Sequence, residues 1–289
     1  MKVAVTGASG YIGAALCRRL ESYGVFDTVK LSTHNQQNGI SYFQTDYSVE
    51  SLTEALSGAS VVIHLAAVRL GTRLSDFLDN ERITENLLIA MAKADVKRIL
   101  YVSSISVYSD ESSLPWSELQ PPSPGTAYGI TKLSGEYLCR IYGFKHSIRS
   151  TVFRLAHVYG PFDENKRITA VFTKQAMNGE ALHVYGKSLA KREFIYLQDV
   201  IDALIWGINN DTEPYGVYNL GTGIGLTNYE VASIVNRAFS NRAPIIYHED
   251  IDEKISSSYM DETKLKGKGF YAQYDMEKAF CEIARIMNR

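Results

Sequence analysis

Tyr128 and Lys132 stand at i and i+4 in Tyr128-Gly129-Ile130-Thr131-Lys132, a spacing that places both on one face of a helix. A free tyrosine has a pKa of about 10 and does little acid–base work at neutral pH. A lysine one turn away favours the phenolate and brings the group towards use. The same spacing also describes an ordinary surface pair, so the chemistry depends on its company. Upstream, Ser103 and Ser104 follow the apolar run Ile99-Leu100-Tyr101-Val102. Hydroxyls at the carboxyl end of a strand in an α/β sheet meet ligands there; loop capping is their competing use.

A second constellation lies at the start of the chain. Thr6-Gly7-Ala8-Ser9-Gly10-Tyr11-Ile12-Gly13 follows an apolar run and opens a stretch of helical spacing. Three glycines at intervals of three let the backbone turn sharply and approach a pyrophosphate at the helix N-terminus. A tight turn without a ligand is the alternative reading of the glycines taken alone. The acidic residue that binds the adenosine ribose about 20 residues further on is missing. The second strand ends in Leu31-Ser32-Thr33-His34-Asn35, and Asp27 reads as preceding that strand. Without the carboxylate a 2′-phosphate meets no repulsion at Ser32, Thr33 and His34, which leans the cofactor to NADP over NAD, although no arginine stands there.

Both constellations need a scaffold, and the alternation of strand-like and helix-like stretches supplies one. Val3 to Val5, Val29 to Leu31, Val61 to Leu65, Ile99 to Val102 and Thr151 to Arg154 read as strands. Tyr11 to Tyr23, Asp76 to Ala94 and Tyr128 to Tyr142 read as the helices between them. The pattern predicts a doubly wound parallel α/β sheet. After Gly160-Pro161 the rhythm loosens, with helices expected over Gln198 to Ile208, Asn228 to Phe239 and from Met276. The expected division is a dinucleotide-binding domain over 1–160 and a smaller mixed α/β substrate lobe over 161–289, the chain crossing between them near 190–225. The prolines at 121, 122 and 124 read as a loop inside the first domain.

Composition narrows the function classes. The 289 residues are 45% hydrophobic and 21% charged, enough apolar sequence for a sizeable core. Thirty basic residues against 32 acidic ones argue against a general grip on nucleic acid or anionic membrane. Cys17, Cys139 and Cys281 are few and far apart, which indicates neither a disulfide framework nor a metal site and fits a cytoplasmic protein. No run is long and apolar enough to span a bilayer, and Met1-Lys2 leads directly into a strand pattern rather than a signal peptide.

Together these segments resemble the extended short-chain dehydrogenase/reductase family, in its sugar-nucleotide epimerase/dehydratase/reductase group. The likeness covers the glycine turn, His64-Leu65-Ala66-Ala67, Asn80 to Leu88, Tyr101 to Tyr108, Tyr128 to Lys132, Arg154 to Pro161, Arg192 to Tyr196 with Asp199, and Tyr218 to Gly223. The resemblance implies Tyr128 as acid–base residue, Lys132 as its electrostatic partner and ribose ligand, and Ser104 as hydrogen-bond donor to the reacting oxygen. It implies dinucleotide contacts at Gly7, Ser9, Gly10, Tyr11, Ile12, Gly13, Leu65, Ala66 and Ala67. Asp46 would lie near the adenine and Arg69 near the phosphates, with Tyr47 a further cofactor contact. Arg192 falls on the arginine that holds the nucleotide-sugar diphosphate, a role suited to a bidentate guanidinium; a structural salt bridge is its other use.

The chain departs from the family pattern in several places. His157 replaces the usual asparagine before Val158-Tyr159-Gly160-Pro161, leaving a substrate contact and a packed histidine both open. Ile105-Ser106 replace the acid pair of the dehydratases, which disfavours dehydration. Lys254 is the only substitute near an expected arginine before Met260-Asp261. The expected activity is NADPH-dependent reduction of a nucleotide-linked 4-keto-6-deoxyhexose at C4. An NAD-dependent nucleotide-sugar 4-epimerase is the alternative, and a non-catalytic nucleotide sensor on the same fold the third. The family often dimerises through two helices per subunit, so a homodimer is also expected.

Overall fold

The computed structural model describes residues 1–37, 39–68, 71, 73–164, 167–210, 213–253 and 255–287, apart from the side chains at 74 and 76. Seven strands form one parallel sheet in the spatial order Tyr215–Leu220, Arg149–Leu155, Arg98–Ser104, Val61–His64, Lys2–Thr6, Asp27–Ser32 and Phe43–Gln44. The central strands are buried on both faces, which is why they read as continuous apolar runs rather than alternating ones; Val3, Ala4 and Val5 are fully buried. The chain first winds outward from Lys2–Thr6, then returns to its other side at Val61–His64. The carboxyl ends of these two strands therefore flank the topological switch point, where open α/β sheets bind ligands.

The chain divides into two compact units, both discontinuous. The first comprises Met1–Ser109, Pro121–Arg154 and Ile201–Tyr218, the second Asp110–Gln120, Leu155–Val200 and Asn219–Arg289. The proline cluster thus opens a return of the chain into the first unit. Leu31, Leu52, Val62, Leu87, Leu88, Met91 and Ile99 meet in the first core. Helices Tyr11–Ser22, Val49–Ala55, Leu78–Lys93 and Ala127–His146 belong to this unit.

In the second unit, Arg192–Tyr196 pairs in parallel with His157–Tyr159 and antiparallel with Gly225–Leu226. Leu182–Tyr185 pairs with Ile245–His248. Helices Ile168–Met177, Asn228–Ala238 and Met276–Met287 pack around Phe172, Val184, Phe194, Val235, Phe280 and Ile283. The excursion Asp110–Gln120 is pinned by buried Asn219, whose amide donates to the carbonyls of Trp116 and Asp261.

Several boundaries differ from the sequence reading. Asp27 is the first residue of the second strand, not a residue before it, because its register opposite Lys2 extends the ladder. The helix expected over Asp76 to Ala94 begins as a short 3₁₀ turn at Leu74–Phe77 and continues as Leu78–Lys93. Its successor runs to His146, where Ser147 in a left-handed conformation ends it (φ 56°). Among the described residues no helix is long and apolar enough to cross a membrane.

Candidate functional site

The glycine turn sits at the switch point of the first unit. Gly7 has φ 65°, and a Cβ there would meet the Ala66 nitrogen at 2.8 Å, so only glycine lets the turn lie against the Leu65–Ala66 backbone. A Cβ on Gly13 would fall 2.2 Å from the Gly7 carbonyl oxygen, which sets how closely helix Tyr11–Ser22 approaches the turn. Gly10 is the N-cap of that helix, exposed; no side chain caps its amides, and its first turn holds no acidic residue. An uncapped, carboxylate-free helix N-terminus beside a glycine turn is suited to an anion. These features fit the diphosphate of a dinucleotide.

A buried chain of hydrogen bonds runs from this turn to the helix that carries Tyr128. Thr6 Oγ1 accepts from the amides of Leu65 and Ala66, both at 3.2 Å, and donates to His64 Nδ1 at 2.7 Å. Thr84 Oγ1 donates to the Asn80 carbonyl at 2.7 Å, so across the 3.1 Å contact His64 Nε2 is the donor and Thr84 the acceptor. Burial, helped by the charge of Lys132, pushes the imidazole pKa down to about 3 and keeps it neutral. Asn80 Oδ1 accepts from the Val68 amide, and its Nδ2 reaches Thr131 Oγ1, which in turn donates to the Tyr128 carbonyl.

Ser104, Tyr128 and Lys132 are all in the first unit, at the carboxyl end of Arg98–Ser104 and the first turns of Ala127–His146. Thr126 caps the helix through the Gly129 amide. A Cβ on Gly129 would come within 2.0 Å of the Ser106 carbonyl oxygen, and one on Gly135 within 2.0 Å of the Tyr101 hydroxyl. These two glycines let the helix lie directly on the serine-bearing strand end. Lys132 is 4% exposed; its Nζ donates to the Val102 carbonyl at 2.8 Å and lies 5.9 Å from the Tyr128 ring centroid. Ser104 Oγ accepts from the Ser106 amide and bonds the Ser106 hydroxyl at 3.2 Å. The phenol, amine and hydroxyl thus share one strand end with the polarity needed to move a proton and steady an oxygen.

The remaining dinucleotide candidates divide by geometry. Tyr11, Ile12, Leu65, Ala66 and Ala67 are half-buried along the switch point, and Thr33 and His34 are exposed beyond the second strand. Ser32 is buried, bonding Ser9 Oγ at 2.9 Å and accepting the His34 amide, so its hydroxyl braces the turn. Asp46 is exposed and caps the Ser48 amide, which holds its carboxyl below the usual range. Tyr47 turns inward and is buried, its hydroxyl accepting from the Gly7 amide. Arg69 and Lys254 lie outside the described residues.

His157 and Arg192 belong to the second unit, where Phe194 stands opposite His157 in the sheet register. The Phe194 ring centroid is 5.8 Å from that of His157, and the Arg192 guanidinium carbon is 5.5 Å from it. Arg192 Nη2 donates to Asn228 Oδ1 at 2.9 Å, while its Nε is buried without a hydrogen-bond partner. Beside it, Glu193 is fully buried; burial lifts its carboxyl to about 7 against the pull of the Thr222, Gly223 and Met260 amides. Sequence reasoning passed over Phe194, Asn228, Gly129 and Thr84 in these roles. Gly129, inside the Tyr128–Lys132 segment, carried a signal, since glycine within a helix costs stability and marks a close approach.

A family model described as the NAD dependent epimerase/dehydratase family matches residues 3–221. A solved structure of UDP-N-acetylglucosamine 4-epimerase from Bacillus cereus is 36% identical, covering 100% of both chains, with a TM-score of 0.92. The structure of MoeE5 in complex with UDP-glucuronic acid and NAD is 27% identical over 99% of this chain and 100% of that one, with a TM-score of 0.85. The low-salt glycan biosynthesis protein Agl12 of Haloferax volcanii is 27% identical over 96% of this chain and 95% of its own.

Proposed function

The chain belongs to the NAD dependent epimerase/dehydratase family, and from that premise we propose that it is a nucleotide-sugar 4-epimerase that works with a retained NAD on a uridine-diphosphate sugar. The observation that carries the reading is the full-length likeness, at 36% identity, to a UDP-N-acetylglucosamine 4-epimerase. NAD is favoured over NADP because MoeE5 is seen with NAD. The serine at position 32 is occupied in bracing the turn, so it offers little to a 2′-phosphate.

The glycine turn and the uncapped helix start would hold the diphosphate of NAD, whose nicotinamide supplies the hydride acceptor and donor. Tyr128 takes the proton from the sugar 4-hydroxyl and returns it to the same oxygen after the opposite face of C4 has been presented. Lys132, fixed by the Val102 carbonyl, favours the phenolate that accepts this proton. Ser104 hydrogen-bonds the sugar oxygen as its charge changes. Arg192 anchors the sugar-nucleotide diphosphate, its buried, unpartnered Nε being a donor available for an anion.

We also propose that two copies pair through helices Leu78–Lys93 and Ala127–His146. Ile130, Tyr137, Ile141 and Phe144 are 46%, 51%, 57% and 95% exposed and recur at helical spacing on the second of these. Light scattering on the purified protein distinguishes dimer from monomer. A cytoplasmic location fits the free state of all three cysteines.

The test of activity incubates purified protein with UDP-N-acetylglucosamine or UDP-glucose, without added cofactor, and follows the C4 epimers by NMR. Epimer formation with no net change in reduced nicotinamide is expected, together with NAD released on heating. Absence of epimers, with stoichiometric consumption of NADPH by a nucleotide-linked 4-keto-6-deoxy sugar, would overturn the epimerase in favour of the reductase.

A further inference from the structure

Arg192 is a half-buried cation held by a neutral partner. Among the described residues no carboxylate forms an ion pair with it. Glu253 acts on it through charge alone, and one oxygen of that carboxylate accepts the Leu189 amide. The guanidinium is fixed by the hydrogen bond that its Nη2 donates to Asn228 Oδ1. Phe194 lies against its carbon, and Nε has no protein acceptor.

Asn228 is 8% exposed and is the first residue of helix Asn228–Ala238. Helix capping does not account for it, because Thr227 and Glu230 form the complete capping box. A carboxylate would suit the position well on helix energetics alone, since negative charge in the first turn meets the positive end of the helix dipole. The amide differs from that carboxylate in one respect: it orients the guanidinium and leaves its charge whole.

We propose that Asn228 is a positioning residue that presents Arg192 to the diphosphate of the nucleotide sugar without neutralising it. The inference rests on Arg192 being the diphosphate anchor. An aspartate in its place would form an ion pair that the diphosphate must break before binding. Alanine would leave the guanidinium with the Phe194 ring and the charge of Glu253 but no hydrogen-bond acceptor to orient it.

Calorimetric titration of UDP into the NAD-loaded protein tests this, with wild type, Asn228→Asp, Asn228→Ala and Arg192→Ala compared, and Tm and NAD content measured on each. Asn228→Asp is expected to keep or raise Tm, retain NAD, and weaken UDP binding about tenfold or more, the scale of a hydrogen bond to a charged group. Asn228→Ala is expected to weaken it about severalfold. Arg192→Ala is expected to lose at least as much as Asn228→Asp. Wild-type UDP affinity in Asn228→Asp, with Arg192→Ala weakened, overturns the role of Asn228 alone. Wild-type affinity in Arg192→Ala overturns the diphosphate anchor itself. A fall in Tm that tracks the loss of affinity across both Asn228 variants makes Asn228 a packing residue and overturns the proposal.

Discussion

The hydroxyl of Tyr47 accepts the amide of Gly7 at 3.3 Å, tying the first glycine of the turn to a residue 40 positions away. Tyr47 is 5% exposed and holds a left-handed backbone, φ 60°, which a bulky side chain adopts only when its surroundings enforce it. Thr45 Oγ1 accepts its amide, and its carbonyl accepts Asn86 Nδ2. Tyr47→Phe keeps the ring and removes the acceptor. One uncharged hydrogen bond is worth roughly 1 kcal/mol, so NAD should bind about three- to tenfold more weakly. Titration of nucleotide-free protein measures this, and an unchanged affinity would separate Tyr47 from the turn.

Tyr128→Phe should lower turnover by about 100-fold or more, the usual contribution of a positioned acid–base group, while NAD stays bound. The contact with the Phe77 ring at 5.9 Å between centroids is retained, so the helix should not move. A variant keeping more than about a tenth of the wild-type rate would remove Tyr128 from the proton transfer.

Glu136 and Arg154 form a buried ion pair, with Nη2 to Oε2 at 2.6 Å and Nε to Oε1 at 3.0 Å. The same carboxylate accepts from Ser103, and Arg154 also donates to the Tyr108 hydroxyl. Glu136→Gln leaves the guanidinium buried without a counter-charge, which costs about 3–5 kcal/mol. Denaturant unfolding followed by circular dichroism should show that loss. A loss below about 1 kcal/mol would mean that water or another group reaches Arg154.

His64 gives stability a pH dependence. Its pKa lies at about 3 in the fold against 6.5 ordinarily. Its contribution is therefore complete above pH 6.5 and declines as pH falls towards 3, because the unfolded chain takes up the proton first. The Tm difference between wild type and His64→Asn should narrow steadily as pH is lowered from 7 to 5. A constant difference across that range would show that the ring is not held neutral.

The sequence by itself determined the features written in local spacing. Gly7, Gly10 and Gly13, the apolar run Val3 to Val5, and the i, i+4 placement of Tyr128 and Lys132 are legible because turn, strand and helix each impose a short period on neighbouring residues. Strand alternation likewise carried the doubly wound sheet, while the boundary at Asp27 depended on its register against Lys2. Tertiary structure decided which distant groups meet. Arg154 finds Glu136 18 residues away, Arg192 finds Asn228 36 away, and Thr6 finds His64 58 away. No periodicity encodes such pairs, because strand register and helix packing bring them together. Gly129 and Gly135 look like weak points in an isolated helix. In the fold they are the two places where the Ser106 carbonyl and the Tyr101 hydroxyl leave no room for a side chain, and that contact lays the first turn of the Tyr128 helix against Ser106.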